Sequence, residues 1–494
     1  MKPHLLIAKA HEYCIKQAVN VPEHVIRFLL EHVKKDTDGN TLKDEQVDTF
    51  FSSLDRYIQG EPLQLITGTA AFRFLELECA ADVFIPRPET EWMIDDVNSY
   101  INMHQDKELK VIDLCSGTGA IALSIAQENP QVKVWGVELS YSAYQVCEKN
   151  NENYGEPVHF VHADALTALD EMKGMCDIVI SNPPYVPGDD EVESYALRDP
   201  SVALWGGGCS GLDMPHALIR RAHELLCPGG MLVMEHAPSQ ASDLVAYARD
   251  CGFSGVSSRD DATGRKRWIR AYKNGDSLAP HIHVKSCVIQ KPRTMSFAKP
   301  WEKADAIRSA AYAVMQGKLI VIPTDTVYGI ACDATNAQAH KNLIATKNRG
   351  DDKPAPLLVS SVKMMEKIAV LDERAYKLIG AYMPGALTLV MPARSSWKNA
   401  HNSTVALRIP DDECVRELLA VTGPLAVSSA NMTGQPPACT VDEAYAYFGD
   451  KVSVYLDGGE MRNANPSTIV SLVEDVRIVR EGAISKDDVF RALQ

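Results

Sequence analysis

An alternation of short apolar runs with helix-like segments, between residues about 75 and 275, most constrains how this chain can fold. The strand-like runs are 110–114, 132–137, 158–161, 178–180 and 231–234, and an apolar helix-like run from Ala120 to Ala126 follows the first of them. Such alternation indicates an α/β fold with a parallel, doubly wound sheet. Ligands of these sheets bind where the strands end. The residues that follow each strand are therefore the strongest candidates for a binding site.

The remaining sequence divides into three further segments. Residues 1–70 repeat apolar side chains at about 3.6-residue spacing, which predicts an N-terminal helical domain before the α/β domain over 71–275. Residues 276–299 are rich in Gly, Ser, Pro and charges and predict a linker. Strand-like runs then return, which predicts a separate α/β domain over 300–494; these runs are 319–322, 387–390, 404–407 and 425–427.

The first strand runs into a glycine-containing turn that opens a helix, Asp113-Leu114-Cys115-Ser116-Gly117-Thr118-Gly119. Glycines let the backbone approach a ligand closely. Glu138 ends the next strand, where a carboxylate can bind both hydroxyls of a ribose. Asp164 and Ala165 follow the third strand and could contact an adenine edge. The third glycine of the dinucleotide fingerprint is absent, because Ala122 occupies its position.

The fourth strand ends in Asn182-Pro183-Pro184-Tyr185. Prolines have a fixed φ and no N–H, so they hold backbone carbonyls rigidly. Asn182 Oδ1 and the Pro183 carbonyl can each accept a hydrogen bond from a substrate NH₂, and Tyr185 can pack on an amide plane or near a methyl cation. An amide nitrogen is a poor nucleophile because its lone pair is delocalised, so reaction at such a nitrogen depends on positioning and electrostatics.

Together these residues resemble those of S-adenosylmethionine-dependent N-methyltransferases. The segment Ile85-Pro86-Arg87-Pro88-Glu89-Thr90-Glu91, with 68–72 before it, narrows the resemblance to the HemK/PrmC family, which methylates the glutamine side-chain amide in the GGQ motif of peptide chain release factors. The resemblance covers about residues 1–275 and implies a helical substrate-binding domain and a methyltransferase domain of the seven-stranded type. Cys115 departs from the family, in which many members have glycine.

The resemblance also implies roles for particular residues. Asn182, Pro183 and Tyr185 would be catalytic. Substrate would be bound by these three residues together with Phe72 and Pro184. S-adenosylmethionine would be bound by Asp113, Cys115, Ser116, Gly117, Thr118, Gly119, Glu138, Asp164, Ala165 and Asn182.

The second half carries a different set of polar residues. A strand-like run leads into Pro323-Thr324-Asp325-Thr326-Val327-Tyr328-Gly329, and basic, hydroxyl and amide side chains follow in dispersed segments: Lys347, Arg349, Lys353, Arg408, Ser429, Asn431, Ser467, Thr468 and Arg480. Such groups fit a triphosphate pocket. The Walker A sequence is absent, so a P-loop is excluded.

This set resembles the YrdC/TsaC family over about residues 300–494. The resemblance implies synthesis of threonylcarbamoyl-AMP from L-threonine, bicarbonate or CO₂, and ATP, for threonylcarbamoyladenosine modification of tRNA. Lys347 and Arg349 would be catalytic and, with Ser429 and Asn431, would bind the nucleotide and carbamate. Thr326 and Tyr328 would line the threonine side. The remaining substrate contacts would come from Lys353, Arg408, Ser467, Thr468 and Arg480. Mg²⁺ would accompany the phosphates, without a dedicated metal site in the protein.

Charge and composition limit the alternatives. Residues 1–280 contain 25 basic and 42 acidic residues, a net charge of −17, whereas residues 281–494 have a net charge of +2. We expect a cytoplasmic protein without a membrane span, since the 12 cysteines are scattered and no long apolar run occurs. Two alternatives stay open: a methyltransferase acting on nucleic-acid amino groups, and a C-terminal RNA-binding module without catalysis. The acidic first half argues against the former.

Overall fold

The N-terminal domain is helical, as the apolar periodicity predicts. The computed structural model describes residues 1–34, 41–188, 190, 198–274, 293–297, 299–347, 355–397, 403–461 and 466–494. The first four helices are α1 (Pro3–Lys16), α2 (Glu23–Lys34), α3 (Asp44–Ile58) and α4 (Leu63–Thr67). Their apolar faces bury Leu6, Ile26, Leu29 and Phe50 in one core. No described helix is both long and apolar enough to cross a membrane.

The next domain contains a two-stranded hairpin and a seven-stranded sheet. Its strands are β1 (Thr69–Phe72), β2 (Leu75–Glu78), β3 (Lys110–Leu114), β4 (Lys133–Glu138), β5 (Val158–His162), β6 (Cys176–Ser181), β7 (Leu226–Glu235), β8 (Phe253–Asp260) and β9 (Lys266–Lys273). Its helices are α5 (Glu91–Met103), α6 (Ala120–Glu128), α7 (Tyr141–Asn153), α8 (Ser201–Leu204), α9 (Asp213–Leu225) and α10 (Ala241–Asp250).

The order of the large sheet is β5-β4-β3-β6-β7-β9-β8. The first five strands are parallel, and β9 and β8 continue the sheet antiparallel. Successive residues of β3 enter different cores, Val111 on one face and Ile112 on the other, which explains the continuous apolar run. After β3 the chain crosses to β4 on one side, and after β6 it crosses to β7 on the other side. Ligands of such sheets bind at this point of divergence, in the crevice where β3 and β6 end. The glycine turn and Asn182 are placed there by the pairing of Leu114 with Ser181.

The second α/β domain is built on a mixed ten-stranded sheet of order β10-β17-β11-β12-β16-β13-β15-β14-β18-β19. The strands are β10 (Arg293–Ser296), β11 (Ile320–Ile322), β12 (Gly329–Asp333), β13 (Leu357–Leu358), β14 (Leu387–Pro392), β15 (Thr404–Arg408), β16 (Leu425–Ser429), β17 (Val454–Asp457), β18 (Thr468–Ser471) and β19 (Arg477–Arg480). The helices are α11 (Pro300–Met315), α12 (Ala337–Lys347), α13 (Val362–Ile368), α14 (Glu373–Tyr382), α15 (Glu413–Thr422), α16 (Val441–Phe448) and α17 (Lys486–Leu493).

Strand β10 lies inside the stretch for which the sequence predicts a linker. It pairs in parallel with β17, and Arg293 stands opposite Val454. Its sequence, Arg-Thr-Met-Ser, has no apolar run that would indicate a strand. The sheet of the second domain therefore begins before residue 300, and residues 276–292 and 298 of the predicted linker lie outside the described residues.

Candidate active sites

A cavity opens where β3, β4 and β6 end, and it encloses about 1150 Å³ of empty space, open solvent at its mouth included. Its concave lining combines backbone and side-chain polar groups with apolar side chains, as small-molecule sites commonly do. Twelve of the residues predicted for the first site line it: Phe72, Cys115, Ser116, Gly117, Thr118, Glu138, Asp164, Ala165, Asn182, Pro183, Pro184 and Tyr185. Distant parts of the sequence therefore meet at the predicted edge of the sheet.

Glu138 joins the glycine turn to the start of α7. Its Oε2 accepts a 2.7 Å hydrogen bond from the Gly117 N–H, and its Oε1 accepts one of 2.7 Å from the Ser140 N–H. Burial raises the pKa of Glu138 to about 7, although these backbone donors oppose the shift. Ser140 in turn caps α7, because its Oγ accepts from the Ala143 N–H at 3.4 Å. The carboxylate is thus fixed at the cavity wall, where it can accept from a ligand hydroxyl.

Asp113 and Gly119 lie beneath the cavity rather than on its lining. Asp113 is fully buried, and burial raises its pKa to about 8, with the nearby Ser116 hydroxyl and Ala122 N–H opposing the shift. Gly119 has a φ of 83°, and a Cβ there would lie 2.8 Å from Cζ of Phe160. We therefore expect both residues to support the turn from below, although the sequence predicts that they contact the cofactor.

Cys115 occupies a backbone conformation that favours glycine. Its φ is 67°, in the left-handed region that costs a side-chain-bearing residue about 1–2 kcal/mol. This conformation explains why a glycine suits the position in other members of the resembling family. Cys115 is a half-buried residue of the cavity wall, and burial of its thiol raises the pKa well above the ordinary value.

A chain of hydrogen bonds runs beneath the Asn-Pro-Pro-Tyr segment. Asn182 Nδ2 donates to Thr90 Oγ1 at 3.2 Å, and the Thr90 hydroxyl donates to Glu235 Oε2 at 2.6 Å. The Tyr185 hydroxyl donates to the other oxygen, Oε1, at 2.9 Å. Because Thr90 gives its one proton to Glu235, it can only accept from Asn182. This sets the orientation of the Asn182 amide, so that Oδ1 points away from Thr90.

Glu235 is the residue that sequence reasoning missed at this site. It is 2% exposed, and burial raises its pKa, while the bonds from Thr90 and Tyr185 and the charge of Arg267 oppose the shift. It ends β7, next to β6 in the sheet. The rule that ligands bind at the carboxyl ends of strands therefore also applied to Met234-Glu235-His236, although no local motif distinguishes that tripeptide.

Lys347 organises the second site. It ends α12, is 4% exposed, and its Nζ donates to Ser428 Oγ at 2.9 Å and to Asn431 Oδ1 at 3.2 Å. It also donates to the Ser429 carbonyl. Ser429 Oγ donates to Asn431 Oδ1 at 2.6 Å, so all of these side chains form one cluster. The cluster lies next to the Thr324–Gly329 turn, because Gly329 pairs with Ser429 across β12 and β16.

Two arginines of the second half lie close enough for their charges to interact, and each donates to a different hydroxyl-bearing residue. Arg408 ends β15, forms an ion pair with Asp325 and donates to Thr326 Oγ1 at 3.3 Å. Arg480 donates to the Ser467 carbonyl at 2.8 Å. Burial and the nearby Arg408 charge lower the pKa of Arg480. Two guanidinium groups that repel each other favour an anionic ligand between them.

Two predicted contact residues are instead engaged within the fold. The Tyr328 side chain is 0% exposed, and its hydroxyl donates to the Gly459 carbonyl at 2.8 Å. The Thr468 hydroxyl donates to the Ile484 carbonyl at 2.7 Å and accepts from the Gly482 N–H at 2.9 Å. We therefore expect structural roles for both residues. Arg349 and Lys353, predicted to bind substrate, lie outside the described residues.

Comparisons with known proteins follow the division of the chain into two halves. A family model described as methyltransferase small domain matches residues 98–199, and the Sua5/YciO/YrdC model, described as telomere recombination, matches residues 313–482. A release factor glutamine methyltransferase of Bifidobacterium longum is 39% identical over 287 residues, which cover 54% of this chain and 98% of that protein. A putative threonylcarbamoyl-AMP synthase of Mycobacterium leprae is 44% identical over 194 residues, which cover 38% of this chain and 88% of that protein.

The chain belongs to the release factor glutamine methyltransferase and threonylcarbamoyl-AMP synthase families. The methyltransferase domain holds the cavity at the ends of β3, β4 and β6, and the synthase domain holds the Lys347 cluster. Among solved structures, the chain is similar to P. abyssi Sua5 complexed with L-threonine, with 27% sequence identity and a TM-score of 0.37. The match covers 41% of this chain and 60% of the Sua5 chain.

Proposed function

We propose that the methyltransferase domain transfers a methyl group from S-adenosylmethionine to the glutamine side-chain amide in the GGQ motif of peptide chain release factors. Glu138 would accept from the ribose hydroxyls, and Asp164 would contact the adenine. When bound, S-adenosylmethionine supplies an electrophilic methyl group on its sulfonium. The proposal is supported by the cavity, because Glu138, Gly117 and Asn182 all line it.

The orientation of Asn182 carries this proposal. Its Nδ2 is engaged with Thr90, and neither its Oδ1 nor the Pro183 carbonyl accepts a hydrogen bond from any residue in the described part of the chain. Two fixed acceptors beside the cavity match the two N–H groups of a primary amide. Holding both N–H groups would aim the nitrogen at the methyl group, and catalysis would consist of positioning and electrostatics.

The test of this function uses isotopically labelled S-adenosylmethionine with a release factor, RNA and DNA in separate reactions. We expect label on the release factor, at the glutamine of the GGQ motif. Label on nucleic acid alone would favour the alternative methyltransferase. A GGN release factor, in which asparagine replaces the glutamine, is the matched control and should remain unlabelled.

We further propose that the synthase domain makes threonylcarbamoyl-AMP from L-threonine, bicarbonate or CO₂, and ATP, with release of pyrophosphate. Lys347 would bind the nucleotide and carbamate, while Arg408 and Arg480 would offset negative charge on the phosphates. Mg²⁺ would arrive with ATP, since this cation binds phosphate oxygens and keeps several waters. The product would serve tRNA modification. Release-factor methylation and tRNA modification would then both serve translation, which favours a cytoplasmic location.

The position of the Lys347 ammonium among Ser428, Ser429 and Asn431 supports this second function. Pyrophosphate release should require threonine and bicarbonate together with ATP. Serine replacing threonine is the matched substrate control and should react more slowly. RNA binding without threonine-dependent pyrophosphate release would favour the binding-module alternative.

A further inference from the structure

The segment after Asn-Pro-Pro-Tyr folds back onto it. We call residues 198–206 the return segment. The N–H groups of Tyr185 and Val186 both donate to the Leu204 carbonyl, at 3.1 and 2.9 Å, and the Gly206 N–H donates to the Val186 carbonyl at 3.2 Å. Leu204 and Val202 also line the cavity where β3, β4 and β6 end, which we call the methyl-donor cavity. The position of the return segment therefore influences both Tyr185 and the cavity wall.

A residue of the synthase domain holds this segment. Arg308 lies on α11, and its Nη1 donates to the Trp205 carbonyl at 2.8 Å and to the Val202 carbonyl at 3.3 Å. Asp305, one turn earlier on α11, pairs with the same guanidinium. Arg308 itself lines the methyl-donor cavity, although the linker separates it in sequence from the methyltransferase motifs.

Further contacts join the return segment to the synthase domain. The Ser201 N–H donates to Glu417 Oε1 at 2.6 Å, and Lys303 forms a 2.7 Å ion pair with the same carboxylate. Val202 is buried in one apolar cluster with Ile307 of α11. The wall of the cavity is thus continuous with the core of the second enzyme.

The same face of the methyltransferase domain meets the synthase domain beside Glu138. Leu139 packs against the cluster that contains Ile307. A Cβ at Gly423, just after α15, would lie 3.3 Å from the ring of Tyr141 at the start of α7. Contacts therefore occur on both sides of the cavity, after β4 and after β6.

We propose that the synthase domain forms one wall of the methyl-donor cavity, and that Arg308 is a positioning residue for methyl transfer. By bonding two carbonyls of the return segment, its guanidinium holds Val202 and Leu204 against the cavity and keeps Tyr185 in place. This inference rests on the proposed methyltransferase function. It assigns the second domain a role in the first reaction that a separate methyltransferase would have to fill with other residues.

The test compares full-length wild-type protein with Arg308→Ala, Arg308→Lys and Arg374→Ala. Arg374 is a matched control, because its guanidinium also donates to two carbonyls, of Leu472 and Glu474, and pairs with an aspartate, all within the synthase domain. The measurements are the KM for S-adenosylmethionine and kcat with a release factor, the Kd of S-adenosylhomocysteine by calorimetry, and threonine-dependent pyrophosphate release.

Arg308→Ala should raise the Kd and the KM about tenfold, the equivalent of one charged hydrogen bond, with a smaller change in kcat. Arg308→Lys should recover part of the affinity, since an ammonium lacks the planar fork that serves the two carbonyls through Nη1 and Asp305 through Nη2. Arg374→Ala should match wild-type protein. All variants should retain pyrophosphate release, which reports on the fold of the synthase domain.

Equal S-adenosylhomocysteine affinities for Arg308→Ala and Arg374→Ala would overturn the inference. Loss of pyrophosphate release in Arg308→Ala would show that its synthase domain is misfolded, and Arg308→Lys would then be the variant to compare. If Arg308→Lys bound S-adenosylhomocysteine with the wild-type Kd, the inference would be overturned. Failure of wild-type protein to methylate a release factor would contradict the proposed function instead, while the affinities would still decide the role of Arg308.

Discussion

Thr90 and Glu235 are separated by 145 residues in the chain, yet the Thr90 hydroxyl donates a 2.6 Å hydrogen bond to Glu235 Oε2. The other oxygen of the same carboxylate accepts from Tyr185. One buried acid thereby fixes the orientation of Asn182 through Thr90 and that of Tyr185 directly. The residues proposed to hold the substrate amide depend on a carboxylate that belongs to neither motif.

Replacing Glu235 by Gln should lower kcat for release-factor methylation by about 10- to 100-fold, because an amide has one acceptor oxygen and the Thr90 and Tyr185 hydroxyls can no longer each donate to an oxygen of their own. The Kd of S-adenosylhomocysteine should change little. Thr90→Ser retains the hydroxyl and should stay close to wild-type kcat. Equal kcat values for Glu235→Gln and wild-type protein would contradict the proposed role of the hydrogen-bond chain.

The sequence predicted the parts of the site that follow from local pattern. Strand ends at Leu114, Glu138 and Ser181 follow from apolar runs, and strand ends mark the ligand edge of such a sheet. Glu235 was missed because its two hydrogen-bond partners, Thr90 and Tyr185, come from distant segments. Thr90 belongs to the Ile85–Glu91 motif, but nothing in that motif reveals that it bridges Asn182 and Glu235.

Other features depend on tertiary context in the same way. The left-handed φ of Cys115 is set by the turn around it and has no local sequence cue such as glycine. The family resemblance implied a ligand contact for Tyr328, but its side chain lies in the core of the domain. The contact of Arg308 with the return segment depends on how two domains pack, which periodicity within one helix does not encode.

The affinity for S-adenosylhomocysteine should depend on pH through Glu138. Its pKa is raised to about 7 by burial, so the carboxylate that accepts from ribose hydroxyls becomes populated as the pH rises through about 7. Affinity should rise over that interval and level off above it, approaching about tenfold per pH unit on the acid side.

Calorimetry between about pH 6 and 8.5 measures this dependence. Glu138→Gln should bind more weakly and lose the transition. Asp113, with a pKa of about 8, is a second titrating group nearby, so Asp113→Asn should be compared and should keep the transition near pH 7. A transition that persists in Glu138→Gln would assign the titration to another group.

Gly119→Ala and Gly155→Ala separate backbone strain from crowding. Both glycines have a φ of 83°, but a Cβ at Gly119 would meet Phe160 at 2.8 Å, whereas a Cβ at Gly155 would meet nothing within 4 Å. Each substitution should lose about 1 kcal/mol from backbone strain, and Gly119→Ala should lose about 1–3 kcal/mol more from overpacking. Urea unfolding of the methyltransferase domain measures the difference, and equal losses would contradict the packing account.

Arg480→Gln should raise the KM for ATP in the synthase reaction about tenfold, because one of two neighbouring guanidinium groups is lost from the proposed phosphate site. Arg408 and Arg480 repel each other, so the variant should also melt at a higher temperature without ATP and gain less from added ATP. Arg477→Gln, on the same strand β19, is the matched control. An unchanged KM for ATP in Arg480→Gln would remove that residue from the site.

The central claim is that one chain carries two separate chemistries, and Asn182→Ala and Lys347→Ala test it most directly when each is assayed for both reactions. We predict that Asn182→Ala loses release-factor methylation by about 100-fold or more and keeps threonine-dependent pyrophosphate release, and that Lys347→Ala shows the reverse. Loss of both activities in either variant, with the protein still folded, or retention of methylation in Asn182→Ala would contradict the account.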